Sequence, residues 1–457
     1  MVRLPDLHAS ARRVSGRASG RASGRAPGKA PWRAGVVAAM VASLAFVGCM
    51  PASASNVPVR HSLFGMHDGT TASTSLARLH EGSVRLWDVG VRWNEVERTR
   101  GHYDFSRLDQ LVTAAQKAHA EVTMVVAMTP KWYSSSPTSP PRTLTPYKNF
   151  VRALMKRYHS FHGKRGIDAY QVWNEANIAT FWTGTMPRLA ALTKAMYDVR
   201  NAVDRRAKVL APGMVTRMNY QLDGLSKYFG QRIGGKPVWR YVDAVALSLY
   251  PMPKYGGRAG VPEDSIAQLK RVRKILRHRG VPGSKGIWNT EINYGLQAGS
   301  QGGTRTPRIP DARQASYVMR TYLLNAANGV KRVFWYRYDW APLSTGGNLA
   351  NTFVTNPTNS GRVTAAGRAY VLAQKWMHGT LIGSAKHPPC PRDRHGTYRC
   401  VVKDSRGTRY IYWNPFHGAS VRLPKGVHHQ QGVLGATSSV KPGSILKVSL
   451  KPVMVSR

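Results

Sequence analysis

Several kinds of residue are scarce or missing in this chain, and each shortage removes a class of function. Cysteine occurs three times, too few for a disulfide scaffold, and the cysteines can be treated one by one. No HExxH and no clustered His/Asp ligands occur, so no metal or cofactor is called for. The turn after the first strand, Met66-His67-Asp68-Gly69-Thr70-Thr71, lacks the glycine fingerprint of a dinucleotide site. The longest apolar run, Ala34 to Gly48, falls short of the ~20 residues a membrane-spanning helix needs. Acidic residues are scarce beside basic ones: 22 Asp and Glu stand against 67 Lys and Arg, and seven of them are glutamates.

The resulting charge of +45 suits an anionic partner such as nucleic acid, acidic lipid or an acidic glycan. The basic residues are scattered and no recognised nucleic-acid module is present, so no nucleic-acid partner is expected. An anionic envelope polymer stays open, as does a basic surface that serves only solubility.

The first 55 residues read as a leader. Arg-rich sequence with the run Gly16-Arg17-Ala18-Ser19-Gly20-Arg21 precedes the apolar stretch, and small residues follow it, which is the order of a secretory signal. Cleavage could follow Ala52-Ser53-Ala54. Alternatively, Phe46-Val47-Gly48-Cys49 resembles a lipobox and makes Cys49 a lipidated N-terminus; a disordered basic tail is the plainer reading. In an exported chain Cys390 and Cys400, which flank a turn-rich loop, are expected to form a disulfide closing a hairpin, with two free thiols as the alternative.

What is present begins with alternation. From residue 57, short β-branched and aromatic runs alternate with amphipathic ones, the signature of parallel βαβ units. Strands are expected at Leu63 to His67, Ser83 to Asp88, Val122 to Met128, Ala169 to Glu175, Lys208 to Met214, Val242 to Tyr250, Gly286 to Ile292 and Arg332 to Trp340. Helices are expected at Ser106 to Ala120, Thr145 to His159, Met186 to Ala207, Ser265 to Gly280, Asp311 to Gly329 and Thr364 to His378, with Gly280 and Gly329 as left-handed ends. Eight such units predict an α/β fold, a (β/α)8 TIM barrel over 57–378, with its chemistry at the C-terminal strand ends. Short alternating runs at Thr397 to Lys403, Thr408 to Trp413, Ser420 to Leu423 and Ile445 to Leu450 predict a small antiparallel β domain over 379–457.

Two glutamates end matching strands. Ala169-Tyr170-Gln171-Val172-Trp173-Asn174-Glu175-Ala176-Asn177 stops on an amide and a carboxylate, and Gly286-Ile287-Trp288-Asn289-Thr290-Glu291 closes a similar stretch. Acetal hydrolysis needs a proton for the leaving oxygen and a negative group at the anomeric carbon, so two carboxylates are the minimum set. Trp-Asn-Glu-x-Asn with Phe181-Trp182, and Thr-Glu later, resembles the retaining glycoside hydrolases of clan A, and most of all glycoside hydrolase family 39. Ala176 departs from the pattern, which has Pro there. The resemblance implies that the antiparallel domain over 379–457 is a β-sandwich beside the barrel, with an acid/base at Glu175 and a nucleophile at Glu291. It also implies a sugar-hydroxyl donor at Asn174, an Arg85 that keeps the nucleophile anionic, and a Tyr250 bonded to it.

His67 is either a sugar contact or a core histidine. Among many aromatics at strand ends, Trp182 and Trp335 are the expected sugar platforms. The sequence thus points to an exported retaining glycosidase acting on a polysaccharide or oligosaccharide. A catalytically silent glycan-binding barrel at the cell surface, and a basic polymer binder, are the alternatives.

Overall fold

The computed structural model describes residues 56–68, 79–252, 260–295, 309–338, 354–356, 362–384 and 386–457. The leader, its cleavage point, Cys49 and Trp340 lie outside these. Eight parallel strands form the centre: β1 (Phe64–His67), β2 (Ser83–Leu86), β3 (Glu121–Val126), β4 (Ala169–Val172), β5 (Lys208–Leu210), β6 (Ala244–Ser248), β7 (Gly286–Ile292) and β8 (Val330–Trp335). Each pairs with the next, and β8 pairs with β1, so the sheet closes on itself as a (β/α)8 barrel.

Residues alternate between the barrel interior and the layer under the helices, because successive strand residues face opposite ways. Ala169, Leu210, Ala244, Ala246, Trp288 and Phe334 fill the lower interior as an apolar plug. Above that plug the inward positions turn polar: His67, Arg85, Gln171 and Ser248 are all buried. The chain therefore concentrates its buried polar groups towards the C-terminal strand ends, where βα loops bring function to this fold.

Helices Ser106–Lys117, Thr145–Tyr158, Met186–Val203, Pro262–His278, Asp311–Ala327 and Ala365–Met377 lie where the periodicity places them. Gly280 and Gly329 have φ of 69°, as helix ends require. A seventh helix, Asn219–Phe229, was not anticipated. Most strands end a residue or two from the expected bounds, and three differ most. β4 ends at Val172 instead of Glu175, because Trp173 and Glu175 adopt positive φ. β5 breaks after Leu210 and resumes as Met214–Val215 against β6. β8 runs Val330–Trp335, three residues past the last apolar turn of its helix.

The antiparallel sheet orders Val57–Val59, Gly379–Leu381, Tyr398–Asp404, Gly407–Trp413, Val453–Ser456, His429–Gly432 and Thr437–Ser439, with Ala419–Arg422 and Ile445–Val448 as a separate pair. Val57–Val59 pairs with Gly379–Leu381, so the sequence reading that put residue 57 in the barrel is corrected. Leu381, Val402, Ile411 and Trp413 share one continuous core with barrel residues. Cys390 and Cys400 are joined by a disulfide that ties the 390–397 turn to its strand. Among the described residues no helix is long and apolar enough to cross a membrane.

Candidate active site

Placing all seven glutamates separates function from scaffold. Glu95 accepts from the Arg92 backbone N–H, while Glu97 accepts from Trp93, Tyr133 and the Gly101 N–H. Glu121 pairs with Arg332, and Glu263 takes Arg320 and Trp413. Glu81 is buried, and among the described residues its carboxyl has no hydrogen-bond partner. Glu175 and Glu291 remain, and they stand together.

Two local irregularities turn them inward. On β7 strict alternation would point Trp288, Thr290 and Ile292 one way and Glu291 the other. The register steps from Leu247 opposite Asn289 to Ser248 opposite Glu291, so two residues of β7 face one of β6. This bulge puts Glu291 beside the inward Ser248, which is what an extra residue in a strand does. Beyond β4, Trp173 at φ 68° and Glu175 at φ 40° reverse the chain direction. The Trp173 ring is captured outside the barrel, where its Nε1 donates to the Phe181 carbonyl at 2.6 Å. Asn174 and Glu175 are thereby aimed at the mouth.

Arg85 is the hub. Its Nη1 donates to Glu291 Oε1 at 2.7 Å, Nη2 to Asn174 Oδ1 at 2.7 Å and Nε to Gln171 Oε1 at 3.1 Å, all fully buried. Tyr250 OH donates to Glu291 Oε2 at 3.1 Å. Both oxygens of Glu291 are therefore occupied by donors, one of them cationic. Because Asn174 gives its oxygen to Arg85, its amide nitrogen is left as the free donor of that side chain.

Glu175 is in a different environment. Burial pushes its carboxyl up to about 7, the charge of Glu291 adds to the rise, and Ser248, Arg217 and Arg85 pull the other way. Tyr250, buried and beside Glu291, is raised well above its ordinary value and so stays a donor.

Three groups here were not singled out from sequence. Asp88 accepts from His67 and from Tyr336 OH, the latter at 2.9 Å, with Arg337 Nη1 at 3.9 Å. Burial would raise the Asp88 carboxyl, but the charge and hydrogen bond of His67, with Arg337 and Tyr336, outweigh it and hold it well below the carboxylate range. Tyr336 stacks obliquely on His67 with ring centres 4.7 Å apart. Arg217, just past the resumed β5, reaches Glu175 electrostatically while its Nε has no acceptor. His67 is itself fully buried and meets the mouth through the partly exposed Asp88.

The two aromatic platforms are corrected. Trp335 is completely buried and packs on Tyr294 in the layer under the helices, because inward Phe334 puts its neighbour outward. The next inward ring on β8 is Tyr336. Trp182 is also buried, edge-on to Trp173 at 4.9 Å, so it supports the β4 turn and offers no open face. Among the described residues no group of three or more His, Cys, Asp or Glu could hold a metal ion.

No protein-family model matches the chain, and no curated protein resembles it in sequence. Solved structures do resemble it. A glucosidase from Croceicoccus marinus superposes with TM-score 0.64 at 12% identity, covering 88% of this chain and 96% of that one. A family 39 glycoside hydrolase from Bacteroides cellulosilyticus gives 0.63 at 16%, covering 87% and 81%. A family 30 endoxylanase from Clostridium papyrosolvens gives 0.56 at 13%, covering 88% and 97%. The likeness extends over barrel and antiparallel sheet together, and it defines the chain as a member of this fold.

Proposed function

We propose that the chain is an exported retaining glycoside hydrolase that cleaves O-glycosidic bonds of a polysaccharide or oligosaccharide, with Glu175 as acid/base and Glu291 as nucleophile. The observation that carries this is the pair of buried carboxylates in unlike environments. One is kept protonated towards pH 7, and the other has both oxygens held by Arg85 and Tyr250. The solved structures that share the fold are named as glucosidase, family 39 hydrolase and endoxylanase, which supports the same chemistry.

In the first step Glu291 attacks the anomeric carbon as Glu175 gives its proton to the leaving oxygen, forming a glycosyl ester. In the second, Glu175 takes a proton from water, water attacks the same carbon, and Glu291 departs as carboxylate. The amide nitrogen of Asn174 donates to the hydroxyl next to that carbon, a bond that strengthens as oxocarbenium character develops. Asp88, partly exposed and held by His67 and Tyr336, accepts a sugar hydroxyl.

Export follows from the basic-then-apolar leader, with release by cleavage or retention through Cys49; N-terminal sequencing of the mature protein distinguishes them. The excess positive charge and Arg217 beside the acid favour a substrate bearing anionic groups, which predicts a KM that rises with salt. A 2-deoxy-2-fluoro aryl glycoside tests the mechanism. The proposal expects inactivation with the sugar on the Glu291 peptide by mass spectrometry. Hydrolysis with inversion and no ester would overturn the retaining assignment.

A further inference from the structure

Gln171 is the inward residue of β4 next above the apolar plug, and it is fully buried. Both ends of its amide are used. Oε1 accepts from Arg85 Nε at 3.1 Å, which, with Glu291 and Asn174 on Nη1 and Nη2, engages all three guanidinium nitrogens and fixes its plane. Nε2 donates to the Trp173 carbonyl at 2.8 Å, which also receives the Gly213 N–H at 3.1 Å. Trp173 is a bulky residue in the left-handed region, a conformation that persists only where the surroundings hold it. Asn174 and Glu175 leave directly from that turn.

We propose that Gln171 is the positioning residue that locks the two glutamates into one geometry. Through Arg85 it sets where the cation meets Glu291, and through the Trp173 carbonyl it sets where the chain releases Glu175. A carboxamide suits this place because it offers one acceptor and one donor on a single planar end without charge. Glutamate would offer acceptors only and add a third carboxylate; methionine would offer neither bond. The neighbouring strand is shaped to match, since a Cβ on Gly213 would lie 2.7 Å from Gln171 Nε2 and 3.2 Å from the Glu175 nitrogen. Gln171 touches no reacting atom, and its kinetic consequences rest on the glycosidase reading.

The test compares wild type with Gln171→Met, which is close in length and apolar, and Gln171→Glu, which keeps the Arg85 bond and with it the fold. Glu291 faces Arg85 from β2, Glu175 from beyond β4, Tyr250 from beyond β6 and Tyr336 from beyond β8, and only the hold on Arg85 and the β4 turn is altered. On any hydrolysed aryl glycoside, Gln171→Met is expected to lower kcat by about 10–100-fold with KM within about threefold, as misplaced catalytic groups do. Gln171→Glu, which keeps the acceptor for Arg85 and loses the donor to the Trp173 carbonyl, is expected to lower kcat less than Gln171→Met. Carbodiimide labelling of Glu291 at a single pH, read by peptide mass spectrometry, reports without turnover how closely Arg85 covers that carboxylate, and is expected to be faster in Gln171→Met than in wild type. A wild type that hydrolyses nothing therefore sinks the glycosidase reading, while the labelling rate still decides on Gln171. Folded variants with wild-type kcat and a wild-type labelling rate would overturn the inference, and so would a lower Tm as the sole change.

Discussion

At the residue scale the site works by giving two like groups unlike surroundings. In the proposed mechanism Glu175 must be protonated to act as an acid, and burial with the Glu291 charge holds it up to about 7. Activity is therefore expected to fall as pH rises through about 7, and Arg217→Met, which removes a lowering charge, should move that basic limb upward in a kcat/KM profile. Glu81 provides a stability counterpart. Burial and then the charge of Asp68 raise it well above its ordinary value, and among the described residues its carboxyl has no side-chain partner. A folded-state value above the unfolded one favours the native state fully below about 4.5, and that contribution is lost as pH rises towards the folded value. Glu81→Gln should therefore flatten the decline of Tm between pH 5 and pH 8, leaving kcat unchanged; an unaltered slope would show that Glu81 does not titrate there. That Glu291, Asn174, Arg85 and Tyr250 meet beside Glu175 was legible in sequence, because each lies at the end of a strand-like run and matches the clan A pattern. Asp88 and Tyr336 were not, because which of two adjacent residues faces inward depends on strand phase, and an error of one residue chose Trp335 over Tyr336.

At the element scale, the eight strands and six of the seven long helices follow from periodicity. The Asn219–Phe229 helix was hidden because its polar, Gly-containing sequence follows directly on the broken fifth strand. His429–Gly432 and Thr437–Ser439, the second at the sheet edge, are polar strands without alternation, so nothing in their composition announces them. Neither the β7 bulge nor the Trp173 turn has a composition signal, yet these two irregularities bring the glutamates inward. Gly213 tests the second. Gly213→Ala presses on Gln171 and on the Glu175 peptide, and is expected to cost about 1–3 kcal/mol of stability and to lower kcat, by denaturant unfolding and steady-state kinetics. Opening the Cys390–Cys400 disulfide with Cys400→Ser should cost about 2–3 kcal/mol by loop entropy. That variant should leave kcat alone, since the disulfide lies in the antiparallel sheet.

For the whole molecule, barrel and antiparallel sheet are one cooperative body. Leu381, Val402, Ile411 and Trp413 belong to the barrel's core cluster, Trp413 Nε1 donates to Glu263 at 3.1 Å, and Trp376 Nε1 donates to Gln431 at 2.8 Å. A chain ending at His378 would expose this apolar surface and strand Val57–Val59 without its partner, and is expected to aggregate; a soluble, active barrel would contradict that. The central claim concerns the two carboxylates at the mouth. Its most direct test is hydrolysis of a broad panel of aryl glycosides and plant and envelope polysaccharides by the mature protein, alongside Glu175→Gln and Glu291→Gln. Turnover of at least one glycoside by the wild type, reduced by about 100-fold or more in both variants, is the predicted result. A folded wild type that binds a glycan but cleaves none of the panel, or variants that cleave as fast as the wild type, would contradict it.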